Sequence, residues 1–246
     1  MNSMQSELTD IWDIHTHILP GIDDGAKNWD MTLEMLKKSW DAGVRHIIAT
    51  PHYLPWQHNA SAKTIMALCN EAMIRSQKEL GIHMEILPGQ EIYYHVDALK
   101  DLSEGKALSL AGGRNVLVEF AEDSPVSDIL MAADSFRRSP FRMVTAHFER
   151  YQALWKRKNL DRFLETGAIL QSNIGEMRRS LFDSGRRRLQ KIYAAQEISH
   201  VASDMHNLTS RPPISEESLQ WFRKHLPQDY CKELFCSNAC AAAGKI

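Results

Sequence analysis

Cysteine is scarce in this 246-residue chain. The four thiols are Cys69, Cys231, Cys236 and Cys240, three of them within the last sixteen residues and none in a CxxC pair. A disulfide scaffold and a zinc knot are therefore not expected, and reduced thiols are. Long apolar runs are missing as well: nowhere do eighteen apolar residues follow one another, and the start, MNSMQSELTDIW, has no positively charged leader. Membrane insertion is not expected, and a cytoplasmic location is. Charge of one sign is also lacking, since 29 Lys and Arg against 31 Asp and Glu leave a formal net charge of -2. A nucleic acid groove would have no electrostatic footprint, so no nucleic-acid partner is expected. There is no GxSxG elbow and no GxxxxGK[ST] loop. Cys69 and Arg75 match the C-x5-R spacing of cysteine-dependent phosphatases, but the intervening NEAMI has no glycine and sits in a helix-period run. Its amides are engaged in helix bonds and cannot cradle phosphate.

What is present is alternation. Strand-type apolar runs recur at Trp12 to Ile18, His46 to Tyr53, Met84 to Tyr94, Val116 to Phe120, Met143 to His147, Ala168 to Ile174 and Val201 to His206. Between them lie helix-period stretches at Trp29 to Ala42, Ala62 to Leu80, Ser127 to Arg138, Asn159 to Glu165 and Leu189 to Ala195. This pattern predicts an α/β fold with a parallel sheet and right-handed crossovers, and the length suits one domain spanning 1–246. Gly43 and Gly81 follow two of the helices where a left-handed cap costs glycine least. The basic stretch MRRSLFDSGRRRL, residues 177–189, reads as a solvated loop and helix surface, with a substrate-facing role as the alternative.

The chemistry gathers at the ends of those runs. His15 and His17 in HTH share one face of a strand, about 6.6 Å apart along the chain, and Asp204 and His206 repeat the spacing. His52, Glu91, Glu119 and His147 each stand near the end of a later run, and Asp24 sits in the DDG turn. The carboxyl ends of barrel strands form the functional mouth. His46 and His200 start their strands and are assigned to structure. Singly, His15 and His17 read equally well as packed histidines, and Glu119 and His147 read better as a paired carboxylate and a satisfied core histidine. Together the candidates make nine N and O ligands without a cysteine, more than the roughly four to six that one transition metal takes. Two or three ions are expected, with a carboxylate such as Glu91 bridging. Mixed imidazole and carboxylate ligands suit Mn, Fe or Zn. Such a cluster lowers the pKa of bound water and delivers hydroxide to a phosphorus or carbonyl centre, so hydrolysis is the expected reaction. Arg150 and Arg211 follow ligands into mouth loops, and a guanidinium fork matches a phosphoryl group. Gln171 and Asn173 add neutral donors on one face of the sixth strand.

At DIHTHILPGIDDG, TPHY, GQEIYY, VLVEF, AHFERY and ASDMHN the chain resembles the PHP (polymerase and histidinol phosphatase) superfamily. Within it, the resemblance is closest to the bacterial tyrosine-protein phosphatases that act on the autokinases of capsule and exopolysaccharide synthesis. The resemblance implies a distorted (β/α)7 TIM-like barrel, a trinuclear cluster usually active with Mn2+, and hydrolysis of phosphotyrosine on a polysaccharide-synthesis tyrosine kinase. It also implies that His15, His17, Glu91 and Asp204 hold one ion, that Glu91, Glu119 and His147 hold a second, and that Asp24, His52 and His206 hold a third. Arg150 and Arg211 fall on the family's phosphate-binding positions. Phe148 stands where that pattern has proline, and SNAC replaces a more usual Asn-Pro. The alternatives are a small-molecule phosphatase of the histidinol phosphate type, a polymerase-type nuclease and a metal-stabilised binding module.

Overall fold

The computed structural model describes residues 8–180 and 182–244. The reading of residues 1–7 and of Leu181 in the basic stretch lies outside the described residues.

The chain runs β1 (Ile11–Thr16), α1 (Trp29–Asp41), β2 (Val44–Ala49), β3 (His52–Tyr53), α2 (Ala62–Leu80), β4 (Glu85–Pro88), β5 (Glu91–Tyr93), α3 (Ala98–Ser103) and β6 (Asn115–Glu119). It continues through α4 (Val126–Arg137), β7 (Arg142–Thr145), α5 (Arg157–Leu164), β8 (Ile169–Asn173), α6 (Ser184–Ala194) and β9 (His200–Ala202). The terminal helices are α7 (Glu216–His225), α8 (Gln228–Lys232) and α9 (Asn238–Ala242).

Every strand pairing is parallel. One sheet orders β1-β2-β4 and the other β3-β5-β6-β7-β8-β9. The expected strands at His46 to Tyr53 and Met84 to Tyr94 are each broken in two, which corrects the sequence reading. Pro51 and Pro88 have no N–H to give the ladder, so each chain steps out of one sheet and re-enters the next. The Gly89 N–H donates to the Ala49 carbonyl at 2.9 Å and the Glu91 N–H to the Pro51 carbonyl at 3.2 Å across the step. Counted through these breaks, seven strand positions remain. The two ends of the curled sheet meet where Thr16 bridges Met205 in parallel. The fold is thus a distorted (β/α)7 barrel, the class the resemblance implies.

Parallel strands covered on both faces need continuous apolar sequence, and all six residues of β1 are buried. Trp12, Ile14, Ile48, Leu117, Val144 and Ile169 fill the barrel, and Ala239 and Ala243 from the α9 region pack against them. Outside the sheet, Leu36, Ile65, Phe136, Phe163, Leu189 and Phe222 from the helices form the larger core. Fully burying each such side chain contributes roughly 1.5–3 kcal/mol.

Gly43 and Gly81 take φ of 95° and 69° just past α1 and α2, as their positions predict. Helix α6 begins five residues before the expected Leu189, because the Asp183 side chain accepts the Arg186 N–H at 2.8 Å and starts the helix there. His46 and His200 lie at strand starts, away from the mouth. His46 is held between Asp10 and Glu85, each at 2.8 Å, and stacks on Trp12. His200 is buried.

Candidate metal centre

The carboxyl ends of the strands bring all nine candidate ligands to one mouth. Three groups have ligand atoms within 4.8 Å of one another: His15, His17, Glu91 and Asp204; His17, Asp24, His52 and His206; and His52, Glu91 and Glu119. The first matches the set the resemblance implies. The other two differ from it, because His17 joins Asp24, His52 and His206, and His52 stands beside Glu91 and Glu119. His147 faces both of those carboxylates, its Nε2 lying 2.9 Å from Glu91 Oε1 and 3.4 Å from Glu119 Oε1. Glu91, His17 and His52 belong to two groups each, and of these the Glu91 carboxylate, with two oxygens, is the one suited to being shared between neighbouring ions.

Local backbone strain aims several of these side chains. The last strand ends at Ala202, two residues short of Asp204, so the Asp204 and His206 pair does not owe its placement to strand alternation as the sequence suggests. Asp204 instead adopts φ 54°, and its N–H donates to the His15 carbonyl at 2.9 Å. His147 has φ 30° just past β7, with its N–H donating to Gln171 Oε1 at 2.9 Å. Left-handed backbone at non-glycine residues costs on the order of 1–3 kcal/mol and gathers at functional sites. At the first turn, Gly25 has no room for a side chain, since a Cβ would fall 2.1 Å from the His17 carbonyl oxygen.

The ring nitrogens facing away from the cluster are anchored. Gln171 Oε1 is an acceptor, since it takes the His147 N–H while its Nε2 donates to Asn173 Oδ1. His15 therefore donates its Nδ1–H to Gln171 at 3.0 Å. His17 donates Nδ1–H to Asp23 Oδ2 at 2.7 Å, and His206 donates Nδ1–H to the Asp204 carbonyl at 2.9 Å. Each of these rings is left with its Nε2 lone pair turned inward, the arrangement second partners impose on metal-binding histidines. The Nε2 atoms of His15 and His17 approach to 3.3 Å, and His206 Nε2, His52 Nδ1 and Glu91 Oε2 are buried without a hydrogen-bond partner among the described residues. Orphaned lone pairs and carboxylate oxygens converging on shared points fit metal ions and fit little else.

The electrostatics are steep. Burial alone would disfavour a charged His17, yet its hydrogen bonds to the Asp23 and Glu91 carboxylates pull its pKa up to about 9. Burial likewise opposes the charged forms of His52 and His147, while Asp24 and Glu91 raise the former to about 11 and Glu119 and Glu91 the latter to about 9. Against its own burial, Asp204 is lowered to about 2 chiefly by the charge of His15. In the metal-free protein, opposite charges this close hold one another ionised, protons on the imidazoles standing where bound cations would otherwise balance the carboxylates.

Two residues outside the sequence reading belong to this structure. Asp23 is held by the Gly25 N–H at 2.9 Å and the His52 N–H at 3.3 Å while it grips His17. Its signal was the Asp-x-Gly turn, which the choice of Asp24 passed over. Glu149 is buried, accepts the Asn173 N–H at 2.8 Å and so ties the turn after β7 to β8; burial pushes its carboxyl up to about 7. Of the two donors expected at the mouth, Gln171 is instead fully buried in the network, while Asn173 lines the same cleft as Arg150 and Arg211 with its Nδ2 donating to Asp204 Oδ2 at 2.9 Å. Arg150 and Arg211 stand at the mouth as expected. Arg150 Nη2 is 2.7 Å from Asp204 Oδ2 and Arg211 Nη2 is 3.1 Å from Asp24 Oδ2, and both line a cleft of about 490 Å³. Cys69 is buried within α2, its thiol pushed up to about 12 by burial, so the C-x5-R spacing is a chance match.

A distorted (β/α)7 barrel with a buried imidazole and carboxylate cluster at its carboxyl mouth, roofed by arginines, defines a class of metal-dependent hydrolase sites. The chain matches the family described as capsular polysaccharide synthesis, CpsB/CapC, over residues 11–242, and it belongs to that family. It is 30% identical over 234 residues to the tyrosine-protein phosphatase CpsB of Streptococcus agalactiae, covering 92% of this chain and 96% of that one. It is 31% identical over 216 residues to the tyrosine-protein phosphatase YwqE of Bacillus subtilis, covering 86% and 84%. Among solved structures, the metal-dependent tyrosine phosphatases YwqE from Bacillus subtilis and CpsB from Streptococcus pneumoniae superpose with a TM-score of 0.85 at 26% identity, covering 96% of this chain and 95% of theirs.

Proposed function

We propose that this chain is a metal-dependent protein-tyrosine phosphatase whose substrate is a tyrosine-phosphorylated protein, most directly a tyrosine kinase of capsular or exopolysaccharide synthesis. The observation that carries the reading is the convergence of His15, His17, Asp24, His52, Glu91, Glu119, His147, Asp204 and His206 beneath Arg150 and Arg211. The names of the relatives it matches over nearly its whole length support it. Residues 1–246 are read as one phosphatase domain, and its working place as the cytoplasm; no helix among the described residues is long and apolar enough to cross a membrane.

The nine side chains would hold two or three ions, with Mn2+ the proposed metal and Fe or Zn the alternatives suited to the same donors. When bound, the ions supply Lewis acidity toward phosphoryl oxygens and acidify water at the mouth. The chain's own part is positioning. Gln171, Asp23 and the Asp204 carbonyl fix three imidazoles in the tautomer whose Nε2 faces inward. The guanidinium groups of Arg150 and Arg211 neutralise the non-bridging oxygens as a water oxygen bonds to phosphorus and the bond to the phenolate oxygen breaks. A phenol with a pKa near 10 leaves far more readily than an alkoxide, so aryl phosphates are favoured over phosphoserine.

The test is phosphate release from a phosphotyrosyl peptide beside histidinol phosphate, with Mn2+, with chelator and with His147→Ala. Chelator-sensitive release from the peptide, lost in His147→Ala, is expected. Preference for histidinol phosphate would place the site in small-molecule metabolism, and no turnover of either despite bound metal would leave a binding module.

A further inference from the structure

Arg178 and Arg179 line the same cleft as Arg150 and Arg211. Of the residues lining it, these four are arginines and Glu176 is the one carboxylate. Arg178 and Arg179 contact none of the nine candidate ligands. Arg179 offers only its Nε to Glu176, at 2.8 Å, and Arg178 reaches Glu217 at 3.4 Å. Both side chains are about half exposed, at 55% and 45%. Much of each guanidinium fork therefore faces the cleft and solvent.

Their presentation is built in. Ile174 and Met177 of the 3-10 turn Ile174–Arg178, which Arg179 directly follows, are buried, and the Arg186 guanidinium donates to the Arg179 carbonyl. Pro212 and Pro213, whose φ is fixed by the ring, line the same cleft. The positive character has a direction: the neighbouring hollow shares Arg150, Arg179 and Glu176 with the cleft, but where the cleft adds Arg178 and Arg211 the hollow adds Glu122 and Glu149.

We propose that Arg178 and Arg179 form a recognition surface for acidic residues flanking the phosphotyrosine, so that the protein prefers phosphotyrosyl segments carrying Asp or Glu on one side. The inference rests on the phosphatase reading above and adds to it the sequence class of the substrate. A flanking segment lying in the cleft meets Arg178 and Arg179 beside the single carboxylate Glu176, while one leaving past Glu122 meets Arg179 among three carboxylates. The preference is therefore for acid on one flank only.

The experiment compares three phosphotyrosyl peptides, with two glutamates before the tyrosine, two after it, or glutamine at all four places, against 4-nitrophenyl phosphate as a reference without flanks. The wild type and Arg178→Gln/Arg179→Gln are assayed with Mn2+ at low and high salt. For the wild type at low salt, one glutamate peptide is expected to show a kcat/KM about ten-fold above the glutamine peptide, carried by KM, from two exposed ion pairs. The gap should close as salt screens it. The double variant should lose the preference while its 4-nitrophenyl phosphate kinetics stay unchanged, and Arg178→Glu/Arg179→Glu should disfavour the glutamate peptide. Equal kcat/KM for all three peptides in the wild type, or a preference that survives in the double variant, would overturn the inference. Absence of any 4-nitrophenyl phosphate turnover by the wild type would overturn the phosphatase reading and this one with it.

Discussion

Asp23 illustrates what a single side chain decides here. Its two oxygens take the His17 Nδ1–H, the Gly25 N–H and the His52 N–H, so through His17 and His52 it joins the first loop to all three ligand groups. A carboxylate behind a metal-binding imidazole fixes the tautomer and raises ligand basicity, and its loss typically costs 10–100-fold in metal affinity. Asp23→Asn is expected to weaken metal binding by about that factor while leaving the fold intact. Metal titration followed by calorimetry checks this; an unchanged affinity would reduce Asp23 to a turn residue. The pair of histidines in HTH was legible as a candidate ligand pair only because Asp204 and His206 repeat its spacing. The role of Asp23 was not, because two adjacent aspartates carry no mark of which one points inward.

The turn after β7 shows how an element aims a functional group. Phe148 opens a 3-10 turn that ends at Arg150, and its ring is fully buried 6.1 Å from Trp155. The aromatic ring fills the space beneath this turn where the family resemblance expects proline, and the ligand before it and the arginine after it both keep their places. Phe148→Ala removes that support and should cost about 3–5 kcal/mol. A fall of roughly 10 °C in Tm is expected from that cost in a domain of this size, with a lower kcat as Arg150 loses its footing. Thermal melts and turnover measured together decide the matter, since a lower Tm with unchanged kcat would show that Arg150 is held from elsewhere. Strand and helix positions were largely readable from apolar periodicity. The breaks at Pro51 and Pro88 were not read, although proline's missing N–H was their visible cause.

At the scale of the whole barrel, the two ends divide their work. The mouth concentrates charge, and the opposite end is closed by packing and by buried neutral groups such as His200. Burial, with a further contribution from the Arg142 charge, lowers the His200 pKa from 6.5 to about 4. In the unfolded chain the imidazole titrates near 6.5, so between the two values the unfolded state binds more protons. The stabilising contribution of neutral His200 is complete above pH 6.5 and is lost as pH falls through 4. By pH 5 the loss amounts to about 2 kcal/mol. Urea unfolding at pH 7.5 and 5.0, at fixed metal concentration, should show a drop that is smaller by about this amount in His200→Gln. Equal drops in the two proteins would place the acid sensitivity wholly in the metal ligands.

The linear sequence determined the class of fold and the chemistry of the site, because apolar periodicity and the placement of His, Asp and Glu near the ends of apolar runs are properties of local order. Tertiary structure alone decided which ligands share a point in space. His52 standing beside Glu91 and Glu119, and His17 facing two groups, follow from the stepped strands and from left-handed backbone at His147 and Asp204. It also decided that Arg178 and Arg179 share a cleft with Arg150 and Arg211. Residues about thirty apart in sequence meet there because successive parallel strands deliver their following loops to the same rim, a juxtaposition that closure of the ring creates and no local pattern encodes.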